Sequence, residues 1–392
     1  MHSTELETLI ATRRDLHRHP ELGFQEVRTA GIVAERLRAA GYEVRTGVAE
    51  TGVVGVMKGG AGTGPTLLLR ADMDALPILE ETTHDFRSTV PGVMHACGHD
   101  AHVAIGLAVA ERLARTRSEW AGTVKYVFQP AEEGGGGALR MVKEGVLEGV
   151  DAALGLHVWL SLPSGVVGVV DGPQMAGSRD VRLTVRGRGG HGSLPHETVD
   201  AVYVASQIVV ALQSVVSRNV SPLDTAVVSV GSFHAGTAPN IIAERAELSG
   251  TLRAFSVAVD DRLCRRVREV AEGIAAALGA ECEVDFGEKY YPPTVNDPSL
   301  AALVRRVAAE VVGPERVRSD DAVRTTGAED FAEFAARVPG CYFFVGARDE
   351  ATGAVHPHHS PHFDIAEDAL PVAVEVLERA ARAYLAGGAG LG

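Results

Sequence analysis

Between residues 50 and 170, short apolar runs that read as strands take turns with segments that read as helices, and that alternation leaves few folds open. "GVVGVMKG" (52–59) and the nearly continuous "PTLLLRADMDA" (65–75) read as strands, and residues 100–115 as a helix. "TVKYVFQP" (123–130) reads as a buried strand ended by Pro130, 137–147 as a helix, and "DAALGLHVW" (151–159) as a further strand. Such a rhythm predicts an α/β sheet with helices on both faces. Near residue 180 the rhythm changes. "VRLTVRG" (181–187) is followed by a helix over 198–218, then strands "TAVVSVGSFH" (225–234) and "AERAELSGTLRAF" (243–255), a helix over 259–279 and the strand "ECEVDFG" (281–287). The order β-α-β-β-α-β is the ferredoxin-like signature. Loop chemistry flanks the unit on both sides, "DGPQMAGS" before it and "YYPPTVNDP" after it. The α/β style then returns, with helices near 298–312 and 366–386 and an apolar strand "CYFFVG". The expected architecture is an α/β domain of residues 1–177 and 291–392, interrupted by an α+β domain of residues 178–290.

Charge and composition narrow the function classes. A net charge of −14 gives no electrostatic case for nucleic acid or an anionic membrane as partner. No run approaches the roughly 18 consecutive apolar residues of a membrane span. The nearest, "AVYVASQIVVALQSVV" (201–216), is broken by Ser206, Gln207, Gln213 and Ser214. The N-terminus lacks the basic-then-apolar pattern of a signal peptide, and Thr4 with Glu7 reads as a capping box opening a helix. The four cysteines, Cys97, Cys264, Cys282 and Cys341, are spaced too irregularly for a disulfide framework. The expectation is a soluble cytoplasmic protein.

In open α/β sheets, ligands bind beyond the carboxyl ends of the strands, so polar residues at those ends carry the most information. Asp72 and Asp74 follow "LLLR", Glu132 and Glu133 follow "VKYVFQPA", and His157 ends "AALGLH". "MHACGHDAH" (94–102) adds Cys97 and His99, and "HPHHSPHF" (356–363) adds His356, His358, His359 and His362. Each has an ordinary reading when taken alone. His157 could be a hydrogen-bonded core residue, the glutamate pair a helix N-terminal pair, and Asp100 the N-cap of the helix that follows. The histidines of "HPHH" could be solvated and Cys97 an inert buried thiol. Their joint occurrence at successive strand ends points to a metal site. The mixture of imidazole, carboxylate and thiolate suits Zn²⁺, Mn²⁺, Co²⁺ or Ni²⁺ rather than Ca²⁺ or Mg²⁺. A thiol-nucleophile site built on Cys97 would leave Glu133, His157 and His359 without roles. Two glycine-rich stretches are decoys. "GRGGHG" (187–192) opens no helix, and "GGGG" (134–137) lacks the Lys-Ser or Lys-Thr of a phosphate loop. The latter suits a helix N-terminus packed close beside the acidic pair.

The stretches "RADMDALP", "MHACGHDAH", "QPAEEGGGGA", "GLHV", "GGHGSLPHETVDAV", "PNIIAERAELSGTLRAF", "GAEDF" and "HHSPHFDIAEDALP" together span almost the whole chain. As a set, the chain resembles the dinuclear-metal amidohydrolases and peptidases typified by aminoacylases and glutamate carboxypeptidases. Within them it resembles the branch of hippurate hydrolases and indole-acetyl-amino-acid hydrolases. The resemblance implies an α/β/α metallopeptidase-like catalytic domain with an inserted ferredoxin-like lid that pairs two subunits into a homodimer. It implies two divalent metals, Mn or Zn first and Co or Ni as alternatives. Cys97 would bridge them, with His99 and His157 completing one site and Glu133 and His359 the other. The family's terminal histidine stands directly before "SP", which selects His359 over His358. The resemblance further implies Glu132 as general base, His191 on the lid as oxyanion donor to the neighbouring subunit's site, and Asn240 and Arg253 as the grip on a substrate carboxylate. Relatives outside this branch place a histidine where Asp72 stands, so Asp72 and Asp74 are expected to orient imidazoles instead of ligating. The implied activity is hydrolysis of the amide bond of N-acyl amino acids. A dipeptidase or N-carbamoyl-amino-acid hydrolase on the same scaffold is the alternative, and a non-catalytic metal- or ligand-binding relative the alternative from another class.

Overall fold

The computed structural model describes residues 1–288 and 290–387. The chain divides into two compact units, one of Met1–Gln174, Val295–Arg324 and the described residues from Asp330 onward, the other of Met175–Thr294 with Thr325–Glu329.

The first unit is built on an eight-stranded mixed sheet. Its long elements in chain order are α1 (Ser3–Arg18), α2 (Val27–Ala39), β1 (Glu43–Val48), β2 (Gly52–Lys58), β3 (Thr66–Asp72), α3 (His99–Arg115), β4 (Thr123–Gln129), α4 (Gly137–Lys143) and β5 (Ala152–Pro163). The strand order is β1-β2-β4-β3-β5, continued by the strand Gly340–Arg348 and the two-residue strands Val167–Gly168 and Val317–Arg318. β3 runs parallel to both β4 and β5, with Leu69 opposite Tyr126 on one side and Leu154 on the other. The strand Gly340–Arg348 continues the parallel run beside β5. These central strands have little polar sequence because both faces are covered: Leu67, Leu68 and Leu69 are wholly buried. Alternation along β3 sorts its side chains. Leu67, Leu69 and Ala71 join the apolar core shared with α1, α2 and α3, whereas Arg70 and Asp72 enter a buried polar network with Gln129 and Asp330. The chain steps from β3 to β4 on one side and then crosses to β5 on the other. That reversal places the carboxyl ends of β3 and β4, and the loops leaving them, at one site.

The second unit contains β6 (Gly177–Arg186), α5 (Ala201–Asn219), β7 (Ala226–Ala235), β8 (Arg245–Ala254), α6 (Val257–Ala277) and β9 (Glu281–Asp285). Its sheet is antiparallel in the order β7-β8-β6-β9, the arrangement of a ferredoxin-like fold. Both helices open on side-chain caps. Asp200 Oδ1 accepts from the amides of Val202 and Tyr203, and Ser256 Oγ accepts from Val259 N. α5 alone among the described helices is long and apolar enough to cross a bilayer by length and composition. Its buried stripe, Ala201, Val204, Ala205, Ile208, Leu212 and Val215, belongs to the core under this sheet.

Two local expectations are corrected. Helix α1 starts at Ser3 with His2 as N-cap and no side-chain cap, and Ser3 Oγ rather than Thr4 donates to Glu7 (2.9 Å). Asp100 is not an N-cap, since α3 already begins at His99 after Gly98. Its carboxylate is buried and taken by Arg13 Nε at 2.9 Å and His17 Nδ1 at 2.8 Å. A short acid followed by a helix looks the same in sequence whether it caps the first turn or anchors it to a neighbouring helix.

Candidate metal centre

The site begins with backbone conformations few residues adopt. Gly98 stands between Cys97 and His99 at φ +90°, and a Cβ there would lie 2.5 Å from Val158 Cγ2. Only glycine lets the chain turn left-handed against β5 and deliver a thiol and an imidazole on either side of one residue. Ala131 at φ +51° turns the chain after β4 so that Glu132 and Glu133 follow directly, and His359 at φ +67° is a third left-handed residue. Non-glycine residues in this region cost of order 1–3 kcal/mol each and persist where surrounding structure enforces them. The enforcement is visible at His359, whose amide donates to Ala96 O at 2.8 Å. The glycines after the glutamate pair allow the close approach their spacing implied. α4 opens at Gly137, where a Cβ would fall 1.8 Å from Pro130 O.

Asp74 then aligns the parts. Its Oδ1 accepts from Glu132 N and its Oδ2 from Glu133 N, each at 2.9 Å, and its carbonyl oxygen accepts from His99 Nδ1 at 2.8 Å. With Nδ1 spent, His99 presents Nε2, which is buried and has no hydrogen-bond partner. His157 is fixed in the same manner. Its Nδ1 lies 2.6 Å from Val158 O, and its Nε2 lies 3.5 Å from Cys97 Sγ. His359 Nε2 stands 3.0 Å from Glu133 Oε1 without hydrogen-bond alignment.

The ligand atoms of Cys97, His99 and His157 all lie within 4.8 Å of one another, as do those of Cys97, Glu133 and His359. Cys97 is the member common to both triads. Glu132, almost fully buried, groups with His99 and Glu133 by the same measure. A further group, Asp72 with His99 and His102, is of another kind. His102 Nδ1 lies 2.6 Å from Asp72 Oδ1 and its Nε2 accepts from Val158 N at 2.9 Å, so neither nitrogen is free. Asp72 also receives Arg70 Nη1 at 2.6 Å and stands 3.7 Å from His99 Nε2. Asp72 is therefore engaged in holding His102 and Arg70. Of the paired histidines before "SP", His358 Nε2 is occupied at 3.1 Å from Val158 O.

Electrostatics distinguish the two chemistries that a buried thiol permits. Burial, then the carboxylates of Glu133, Glu132 and Asp72, push the Cys97 thiol well above its usual range. A nucleophilic cysteine needs the opposite environment. Burial alone would lower the His99 imidazole, but Asp72, Asp74 and Glu133 outweigh it and leave it raised to about 10. His157 is held well below the usual range by burial and the neighbouring His102 and His358, which keeps it neutral as a ligand must be. Carboxylates crowded on a buried thiol, with an unpartnered imidazole nitrogen among them, fit cation binding, since a bound cation deprotonates a coordinating thiol.

On the second unit, His191 and Asn240 are brought together. Gly190–His191 pairs with Ile241–Ile242, Asn240 O accepts from Gly192 N at 2.8 Å, and both side chains are exposed. Ser193 Oγ lies 2.8 Å from His191 Nδ1. Arg253, on β8, is half-buried and donates from Nη1 to Thr326 O at 3.0 Å.

Residues that strand-end reasoning passed over support the site from behind. Asp330, within "GAEDF", accepts from Arg70 Nη2 and Gln129 Nε2 through Oδ1 and from Ala138 N through Oδ2. Arg13 is wholly buried and links Asp100 to Asp364, five residues beyond His359. A signal for Arg13 was present: Leu9, Arg13 and Leu16 recur on one helical face, which places an arginine in a buried stripe.

Comparison with known proteins adds to this geometry. Residues 68–383 match the profile of Peptidase family M20/M25/M40. The chain is 42% identical over 365 residues to thermostable carboxypeptidase 1 of Saccharolobus solfataricus, covering 92% of this chain and 91% of that one. It is 40% identical over 380 residues to IAA-amino acid hydrolase ILR1-like 4 of Arabidopsis thaliana, with 96% and 86% covered. Among solved structures, a Bacillus subtilis protein described as a dinuclear metal binding peptidase of the M20 family superposes with a TM-score of 0.84 at 35% identity, with 98% and 99% covered.

Proposed function

Since the chain belongs to peptidase family M20/M25/M40 and is a hydrolase of that family, we propose that it hydrolyses the amide bond of N-acyl amino acids, releasing a carboxylic acid and a free amino acid. The observation that carries the reading is the pair of ligand triads sharing Cys97, with Glu132 beside them. In this reading Cys97, His99 and His157 would hold one divalent cation and Cys97, Glu133 and His359 the other, with Mn or Zn favoured by the donors and Co or Ni able to replace them. Such cations, when bound, polarise an amide carbonyl and acidify water. Glu132 takes the proton of the attacking water and returns it to the leaving amine. Its backbone amide is already held by Asp74.

Amide chemistry alone does not distinguish an acyl amino acid from a short peptide. The carboxypeptidase relative favours a second reading, cleavage of small peptides at their carboxyl end. The amino-acid hydrolase relative covers more of this chain and favours the first. Substrates of both kinds carry a free α-carboxylate, for which Arg253 with Asn240 is the assigned grip. Guanidinium suits a planar carboxylate better than any other side chain. His191 donates to the oxyanion, and in this reading it serves the site of a second subunit in a homodimer formed through the second unit.

Three experiments test these roles. Glu132→Gln is expected to retain metal and lose turnover by several orders of magnitude, and Glu133→Gln to lose one metal on elemental analysis. The opposite pattern would reverse the two assignments, and full turnover in metal-free protein would overturn the reading. Substrates with a free carboxylate are expected to outcompete their amides by tenfold or more, a preference that Arg253→Ala largely erases. Equal rates for acid and amide with the unmutated enzyme would remove Arg253 from the site. Finally, His191→Ala and Glu132→Ala are each expected to be nearly inactive. Mixed dimers of the two rebuild one site in two, so random exchange should restore roughly a quarter of the unmutated activity. No recovery after confirmed exchange would place His191 at its own subunit's site or at none.

A further inference from the structure

Residues 77–93, between β3 and α3, form a strap without helix or strand. Leu76 and Met94 close its base, exchanging backbone hydrogen bonds of 2.9 and 3.0 Å. Asp74 stands just before this base and Cys97 just after it. Along the strap, Glu81 N donates at 2.9 Å to the carbonyl of Pro361, two residues beyond His359. The strap is therefore joined to the segments that carry Asp74, Cys97 and His359.

The strap is fastened to the C-terminal end of α1. Thr89 donates to Arg18 O through both its amide and its hydroxyl, and the Phe86 ring lies 4.9 and 4.8 Å from the guanidinium carbons of Arg13 and Arg14. One fastening is ionic and buried. His17 Nδ1 stands 2.8 Å from Asp100 Oδ2 on α3, and its Nε2 stands 3.3 Å from Glu80 Oε1 on the strap. The side chains of His17 and Glu80 are 1% and 4% exposed. A neutral imidazole has one N–H and cannot donate at both nitrogens. A carboxylate at each nitrogen therefore calls for the imidazolium. The other partners of Glu80, Thr82 Oγ1 and Ser88 N, belong to the strap itself.

Among the described residues, the charged or titratable groups facing the ring are Asp100 on α3, Glu80 on the strap, Arg13 one turn back on α1, and His95 before α3, whose ring centre is 6.4 Å away. Asp364 and Glu367 lie behind Arg13 and pair with it, and His84 stacks on Phe86 and pairs with Asp364. Burial lowers the His17 imidazole, but Asp100 and Glu80 outweigh it and hold it above its usual range. Burial raises the Glu80 carboxyl, yet His17, Thr82 and the Ser88 amide leave it lowered. Asp100 is kept ionised against its burial by Arg13 and His17. His95, pushed down to about 3 chiefly by burial, stays neutral.

We infer that His17 is a proton-operated latch: as an imidazolium it clasps the strap to α1 and α3, and on giving up its proton to solvent it frees Glu80 and lets the strap open. The inference is independent of the substrate. The folded protein holds this proton more tightly than a free imidazole, whose pKa is about 6.5. The latch is thus fully closed below that pH and is lost as pH rises through the raised value. The shorter contact, to Asp100, keeps the one remaining N–H, and Glu80 is the carboxylate left without a donor outside the strap. Losing a buried hydrogen bond between charged groups makes opening easier by roughly ten- to a hundredfold. Opening loosens the chain on both sides of the candidate metal centre, so alkaline pH acts on the site from outside it.

The test is tryptic cleavage after Arg87, an exposed residue of the strap, in the metal-loaded full chain between about pH 6.5 and 9.5. A synthetic peptide containing the same bond corrects for the pH dependence of trypsin, and thermal melting confirms that each protein is folded. Corrected cleavage of the unmutated protein is expected to rise by about tenfold or more across the His17 transition. His17→Gln is expected to be cut at the fast rate at every pH. Glu80→Gln removes one of the two carboxylates that hold the proton, and is expected to move the rise to lower pH by about one unit. In ¹⁵N-histidine spectra, the resonances that vanish in His17→Gln are expected to show both ring nitrogens protonated at neutral pH. Cleavage that follows the peptide control at every pH, or an unshifted rise in Glu80→Gln, would overturn the inference. A neutral His17 ring at pH 7, or a pH dependence that persists in folded His17→Gln, would overturn it equally.

Discussion

One aspartate holds the candidate site in register. Asp74 donates nothing and accepts three times, from the amides of Glu132 and Glu133 through its carboxylate and from His99 through its carbonyl. The loop after β3, the turn after β4 and the first residue of α3 are thereby referred to one residue. Each of these bonds is ordinary, worth about 0.5–1.5 kcal/mol net, with those to a carboxylate toward 1.5–3. Their value is geometric. Two glutamates with different side-chain tasks follow a strained alanine, and only a fixed backbone separates the tasks. Removing the carboxylate would leave two buried amides without acceptors and a left-handed turn with less to hold it.

A second layer carries the constraint outward. Arg70 ties Asp72 on β3 to Gln129 on β4 and to Asp330, and His102 joins Asp72 to Val158 on β5. Arg13 ties Asp100 beside His99 to Asp364 beyond His359. Buried charges are costly unless each finds partners, and here each guanidinium meets at least one carboxylate from a distant part of the sequence. The sheet brings the strand ends side by side. The ion pairs orient the side chains on them.

Much of this was legible in the residues and some was not, for identifiable reasons. The polar groups at strand ends, Asp72, Asp74, Glu132, Glu133 and His157, stood out because they follow mostly apolar runs. The helix and strand order of the second unit followed from turn chemistry and periodicity, and its β7-β8-β6-β9 sheet matches that order. Asp100 was misread because a capping acid and an anchoring acid share one local pattern, and the partner, Arg13, lies 87 residues away. The difference between His358 and His359 is a matter of backbone: one ring faces Val158 O, whereas the left-handed turn at the next residue aims the other at Glu133. Periodicity contains no information about either. Gly98 was visible as a glycine, but its need was not, since the close neighbour is Val158 on another strand.

The central claim is that Cys97 is shared by two metals. Crystals of protein reconstituted with Zn²⁺, measured by anomalous scattering at the zinc edge, test it most directly. The account predicts two peaks in each subunit, both about 2.3 Å from Cys97 Sγ, one bounded by His99 and His157 and the other by Glu133 and His359. A single peak, or two peaks of which only one contacts Cys97, would contradict it.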